Sequence, residues 1–348
     1  MLTSQPCLSL FNQLHFGTIL TNFQSQFSGE LTMKTVIGLI MGLFLFSGCA
    51  RAQDMEGHHH TAPSSPADAI ETQEWAKQRL AKSSRHQEWV KVKNGTREVN
   101  SFVVYPEVKN KATAVVVIHE IFGMSDWVQS LTDQLAEAGY IAIAPDLLSG
   151  MGPNGGGTSS LDRNGVGQAI RDLPPDQITA DLNAVADYVS KLPASNGKVV
   201  VTGYCWGGSQ SFRFATNRPS LKAAFVFYGS APAGADNAPD KAALAKITAP
   251  VYGFFAGNDA RIDATLPATS AAMAELKKTF DPVTYDGAGH GFMRAGEAPE
   301  PTAPAATGNK EADDKAAADY QKALTAYKAN KKARDDAWAR WKKLLAAI

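Results

Sequence analysis

Between residues 113 and 290 the chain repeats one pattern: a continuous apolar run, then a stretch whose apolar positions have helical spacing. The runs are TAVVVIHE (113–120), YIAIAPD (140–146), KVVVTGY (198–204), KAAFVFYG (222–229), PVYGFFAG (250–257) and PVTYDGAGH (282–290). Such Val-, Ile- and Phe-rich runs, lacking polar alternation, fit strands covered on both faces. The segments 126–138, 176–192, 207–217 and 266–279 read as helices. Strand and helix in alternation predict an α/β domain, with a mostly parallel central sheet and helices on both faces. Ahead of it, QEWVKVK and EVNSFVVYPE are joined by Asn94-Gly95, a hairpin dipeptide, and add an antiparallel edge. A short polar helix is expected over 67–82, with Ala69, Ile70, Trp75 and Leu80 as its apolar positions.

Two segments break the alternation. LLSGMGPNGGGTSS (147–160) is glycine-rich and long for a connection, so it is expected to help cover a site. It lacks the Gly-x-x-x-x-Gly-Lys-Ser/Thr spacing of a phosphate loop. GEAPEPTAPAATGNKEADD (296–314) reads as an Ala/Pro-rich linker to a terminal helix. There Trp338, Trp341, Leu344 and Leu345 share a face, which marks core packing rather than ligand contact.

The N-terminal part has a different character. Residues 1–32 contain no Lys or Arg and are read as an upstream extension outside the folded protein. MKTVIGLIMGLFLFSGCARAQ, beginning at Met33, has the lysine, short apolar stretch and small residues of an export signal over 33–52. Two processing sites compete. Ala50-Arg51-Ala52 before Gln53 fits an ordinary cut and a soluble product, whereas FSGC ending at Cys49 resembles a lipoprotein box and implies a lipid anchor. Either way the protein is expected to be exported, as a periplasmic protein or a membrane-anchored lipoprotein. Residues 53–85 form a linker with the short helix, and 86–348 form the α/β domain. His58 to His60 in the linker are metal-capable, but a polar run without further fixed ligands reads as a tail. No metal or organic cofactor is expected.

At 348 residues the chain is long enough to bury a substantial core. Lys and Arg together number 34, as do Asp and Glu, which argues against nucleic acid as a partner. The chain has three cysteines, Cys7, Cys49 and Cys205. Export processing would leave Cys205 alone, and an unpaired thiol in an exported protein points to reactivity.

Cys205 lies in VTGYCWGGSQ (201–210), a Gly-x-Cys-x-Gly pattern between an apolar run and a predicted helix. Strand, Gly-x-nucleophile-x-Gly, helix is the nucleophile elbow of α/β-hydrolases, here with Cys in place of Ser. The helix N-terminus behind it favours thiolate. That fold places an acid after a later strand and a histidine after the last one. Asp259 and His290 occupy those places, with Asp263 as a rival acid.

HEIFG (119–123), GYCWGG (203–208), AGND (256–259) and HGFMR (290–294), in that order, resemble the dienelactone hydrolase family over roughly residues 86–295 and a C-terminal helix. The resemblance implies an ester or lactone hydrolase working through a thioester. Cys205 is then the nucleophile, His290 the base and Asp259 its orienter. Glu120 is implied as a switch carboxylate that contacts the thiol at rest and helps deprotonate it. The amides of Ile121 and Trp206 are implied as the oxyanion hole, and Arg294 as the ligand of a substrate carboxylate. The family's second carboxylate-binding arginine has Arg163 and Arg171 as candidates here. The partner is then a small-molecule ester or lactone. The competing reading is a noncatalytic or thiol-exchange protein on the same fold; exchange would need a resolving cysteine, and the processed chain has none.

Overall fold

The computed structural model describes residues 73–234 and 236–348. The upstream extension, the export segment, Cys7, Cys49, His58 to His60 and the first turn of the helix expected over 67–82 lie outside the described residues.

The strands are β1 (Gln87–Asn94), β2 (Arg97–Val104), β3 (Ala112–Ile118), β4 (Ile141–Pro145), β5 (Ser195–Tyr204), β6 (Ala224–Phe227), β7 (Val251–Ala256) and β8 (Phe280–Tyr285). They form one sheet in the order β1-β2-β4-β3-β5-β6-β7-β8. β1 and β2 pair antiparallel around a two-residue turn in which Gly95 has φ 60. β2 also joins β4 antiparallel, and every pairing from β4 to β8 is parallel. All seven residues of β3 are buried, as its unbroken apolar run requires.

Successive side chains of a strand point to opposite faces, and the two faces carry separate cores. Val116, Ile118 and Val201 pack on one side with α3 (Arg163–Asp172), α4 (Pro175–Ser190), α5 (Trp206–Asn217) and α8 (Leu266–Glu275). Val115, Val117 and Val200 pack on the other with α2 (Asp126–Glu137) and α10 (Lys310–Ala346). Short helices α1 (Glu74–Ala81), α6 (Lys241–Leu244), α7 (Ala260–Asp263) and α9 (Phe292–Ala295) complete the described elements.

Two expectations need correction. α3 was not foreseen, because Gly165 and Gly167 interrupt its pattern; its apolar stripe of Val166, Ala169 and Ile170 is nonetheless buried. The linker expected over 296–314 ends early, since α10 starts at Lys310, where Asn309 caps the amide of Ala312. Its exposed first half is held by i,i+4 pairs such as Lys315–Asp319, and its second half buries Ala333, Ala337, Trp341 and Leu345. Trp341 stands edge-on to Phe227, with ring centroids 5.5 Å apart.

This topology determines where a site can form. From β3 the chain moves to β4 on one side, then crosses to β5 on the other. The crevice beyond the carboxyl ends of β3 and β5 is therefore the topological switch point, where open α/β sheets bind ligands. Glu120 follows β3 by two residues, and Cys205 follows β5 directly.

Candidate active site

Cys205 occupies the turn between β5 and α5 with φ 56 and ψ −119, a conformation that side-chain-bearing residues disfavour. Such strain costs on the order of 1–3 kcal/mol and persists only where the surroundings enforce it. Here the Cys205 amide donates to the Phe227 carbonyl at 3.1 Å, and its own carbonyl accepts from Ser209 at 3.2 Å. The flanking glycines are required by space. A Cβ on Gly203 would overlap the Gly207 carbonyl, and one on Gly207 would overlap the carbonyls of Ile118 and His119. The turn thus seats α5 against the end of β3.

His290 lies in the loop after β8, its Nδ1–H donating to Asp259 Oδ2 at 2.5 Å. Asp259 follows β7, and its other oxygen accepts from the Ile262 amide at the start of α7. Burial works against its charge, but the His290 hydrogen bond, aided by the charges of His290 and Arg261, holds the carboxyl below its usual value. For His290, burial alone would lower the pKa. The Asp259 hydrogen bond and the Cys205 sulfur, through hydrogen bonding and charge, push it up to about 10. Asp263, the rival acid, has no hydrogen bond or ion pair to His290 among the described residues; its buried Oδ1 has no partner, and burial raises its pKa. The structure therefore brings together Cys205, His290 and Asp259. Two further contacts set the loop: Gly289 N–H donates to Asn330 Oδ1 of α10 at 2.8 Å, and Tyr228 stands edge-on to the His290 ring at 5.0 Å.

Glu120 departs from expectation. Its Oε2 accepts from Arg294 Nε at 2.9 Å, and its described hydrogen bonds include none to the Cys205 thiol. Both side chains are buried, and a desolvated carboxylate needs its cation. The Arg294 guanidinium also lies over the Phe122 ring, 5.2 Å from its centroid.

The residues named for an oxyanion hole flank the elbow. Trp206 is the first residue of α5, so its amide is one of the orphan donors of a helix N-terminus. Ile121 starts the tight turn closed by Gly123 N–H to Glu120 O, with Gly123 at φ 68. Sequence reasoning missed His119. It is fully buried, it stacks on Trp206 with the rings 18° from parallel, and its Nδ1 lies 2.8 Å from the Glu120 carbonyl oxygen. That acceptor requires Nδ1 to carry the proton, and burial, its largest influence, lowers the ring's pKa. In a planar trans peptide the N–H points opposite to the C=O. Fixing the Glu120 carbonyl with His119 and Gly123 thus aims the Ile121 N–H away from both. The signal available was adjacency alone: His119 immediately precedes Glu120.

The glycine-rich segment folds back on this turn. Asp146 accepts from Thr158 N and Oγ1, each at 2.8 Å, and Thr158 Oγ1 accepts from the Met124 amide at 3.1 Å. Beyond it, Arg163 and Arg171 of α3 line a cavity of about 600 Å³ together with Ile121 and Phe122. Among the described residues, no group of three or more His, Cys, Asp or Glu is arranged to hold a metal ion.

The model of the dienelactone hydrolase family matches residues 99–348. A protein of Salmonella typhi, provisionally named a carboxymethylenebutenolidase, is 30% identical over 201 residues, covering 56% of this chain and 73% of its own. One so named from Saccharolobus solfataricus is 31% identical over 228 residues, covering 56% and 84%. Among solved structures, a provisionally named dienelactone hydrolase of Klebsiella pneumoniae superposes with a TM-score of 0.54 at 24% identity, over 70% of this chain and 99% of its own. The dienelactone hydrolase-like promiscuous phosphotriesterase P91 from metagenomic libraries gives 0.56 at 19% identity, over 76% and 99%. At these identities the two structures speak to the fold alone.

Proposed function

We propose, from the premise that the chain belongs to the dienelactone hydrolase family and is an α/β-fold hydrolase of lactones or esters, that Cys205 is its nucleophile and carboxylate-bearing esters or lactones its substrates. The observation that carries the reading is the His290–Asp259 hydrogen bond, acting on a ring that the strained Cys205 also touches electrostatically.

The chemistry follows from those positions. The Cys205 thiolate attacks the carbonyl carbon, a C–S bond forms, and the carbonyl π electrons move to oxygen. The Ile121 and Trp206 amides receive that oxyanion. Its collapse breaks the C–O bond, and the leaving alkoxide takes a proton from the His290 imidazolium; in a lactone this opens the ring. Water, deprotonated by His290, then attacks the thioester, and collapse returns the thiolate and releases the acid. Asp259 holds the imidazole orientation and offsets its positive charge throughout.

Arg294 enters by exchange. A substrate carboxylate takes the guanidinium from Glu120, and the released Glu120 becomes a base for the Cys205 thiol. Arg163, on the neighbouring cavity, is the second cation for that carboxylate. A panel of aryl esters and lactones with and without a carboxylate tests the reading. The carboxylate-bearing members are expected to show the lower KM, and Cys205→Ala to abolish turnover of all. Full activity in Cys205→Ala would remove the thiol from the mechanism.

Export through residues 33–52 is part of the same proposal. A mature N-terminus at Gln53, or a lipid-modified Cys49, in protein from its host supports it. Abundant peptides from residues 1–32 would oppose it.

A further inference from the structure

We infer that the cavity along α3 is a distal anion subsite, selecting esters whose far end carries a second carboxylate or similar oxyanion. The inference rests on the ester-hydrolase reading and adds a substrate class to it.

The argument begins with the helix. Val166, Ala169 and Ile170 of α3 face the core, which leaves Arg163, Gly167, Gln168 and Arg171 on the opposite side. All four line the cavity, whose volume of about 600 Å³ is the size of a small-molecule site. Across from them stand Ile121, whose amide is the proposed oxyanion donor, and Phe122, which lies against Arg294. The cavity therefore runs along α3 and is bounded at its other side by the residue proposed as an oxyanion donor. Arg163 and Arg171 are eight residues apart, so at 1.5 Å per residue their Cα atoms are about 12 Å apart along the axis.

Gly167 and Arg171 make this a groove with a charged end. Helical side chains lean toward the N-terminus, so Arg171 reaches back toward Arg163. Its Nη1 would lie 3.5 Å from a Cβ on Gly167, so the guanidinium passes over a position that has no side chain. A hydrogen-bond chain orients it: Arg171 Nη2 donates to Gln168 Oε1 at 2.8 Å, and Gln168 Nε2 donates to both Asp172 oxygens at 2.8 and 2.9 Å. Asp172 is thus taken up by Gln168, and no ion pair joins it to Arg171 among the described residues. An arginine held in a fixed plane suits the two oxygens of a carboxylate. Phe122 and Ile121 offer the intervening chain an apolar wall.

Mono-p-nitrophenyl esters of dicarboxylic acids from succinate to suberate, each beside its methyl-capped diester, test the proposal. Wild-type protein is expected to prefer the longer free acids over their capped forms. Arg171→Gln should raise KM about tenfold for the longer free acids, leave kcat unchanged and spare capped and short esters. The preference should shrink with added salt, because the guanidinium is exposed. Gly167→Leu, which has room for its Cβ, should raise KM for long esters of both kinds and spare p-nitrophenyl acetate. If Arg171→Gln changes nothing, or affects capped and free esters alike, the subsite is overturned. Calorimetry with suberate alone separates this from the chemistry: suberate binding weakened in Arg171→Gln supports the subsite even if Cys205→Ala proves active. Suberate binding equal in both proteins counts against it.

Discussion

Glu120 and Arg294, 174 positions apart in the chain, form a buried ion pair in which Arg294 Nε lies 2.9 Å from Glu120 Oε2. The pair links the turn after β3 to α9, which begins two residues after His290. Arg294 is therefore engaged before any substrate arrives, and its proposed role is an exchange of carboxylates.

That exchange separates two variants. Arg294→Ala leaves Glu120 buried without its guanidinium, at a cost of about 3–5 kcal/mol in stability by denaturant unfolding. Under conditions where it is folded, its KM should rise for carboxylate-bearing esters and stay nearly unchanged for neutral ones. Glu120→Gln keeps an oxygen for Arg294 and should lose less stability. A fall in kcat for neutral and anionic esters alike in Arg294→Ala would assign the residue to bracing the His290 loop.

The His290–Asp259 bond predicts a pH window. With its folded pKa raised to about 10, His290 contributes stability that is full below its unfolded value and lost as pH rises through 10. Asp259, held below its ordinary 3.8, contributes stability present above that value and lost as pH falls through its depressed one. The stability difference between wild type and Asp259→Asn should therefore form a plateau from about pH 4 to 6.5, decline as pH rises from there through 10, and narrow again below pH 4. Its height is on the order of 1 kcal/mol, because 34% of the His290 side chain is exposed and screened. A difference that does not vary with pH would show that the bond is not ionic.

His119 predicts an effect on the chemical step. His119→Leu removes the donor that fixes the Glu120 carbonyl, so the Ile121 amide loses its aim. We expect kcat to fall ten- to a hundredfold with KM little changed, and His119→Gln, which can donate to the same oxygen, to recover part of it. Iodoacetamide labelling of Cys205 should be unaffected in both. A loss of labelling together with kcat would point to general disruption of the elbow.

Much of this site was legible in the sequence, for physical reasons that also mark the limits. β3 and β5 are covered on both faces, so VVVI and VVVTGY announced themselves, and the sharp turn demanded Gly203 and Gly207 around Cys205. Asp259 was the better-placed acid in sequence, nearer Gly257 than its rival Asp263, and the fold of the α7 turn brings its carboxylate to His290. The Glu120–Arg294 pair was hidden, since nothing local records a contact made by tertiary folding. α3 was hidden by Gly165 and Gly167, which weaken helix propensity but leave its outer face open.

The elbow glycines give a packing test. Gly203→Ala places a methyl group in the Gly207 carbonyl, and neither backbone can yield without moving Cys205. Loss of more than about 3 kcal/mol, or of soluble protein, is expected. Gly167→Ala, with its Cβ in open contact on α3, should instead gain on the order of 1 kcal/mol. Equal tolerance of the two would mean that the elbow is looser than its geometry indicates.

The central claim is that Cys205 carries the acyl group. Its most direct test is the intact mass of the protein, acid-quenched during turnover of a p-nitrophenyl ester, followed by peptide mapping. The account predicts a mass increase of one acyl group on the peptide containing Cys205, cleaved by hydroxylamine as a thioester should be and absent from Cys205→Ala. An acyl group on any other residue, or unaltered turnover in Cys205→Ala, would contradict it.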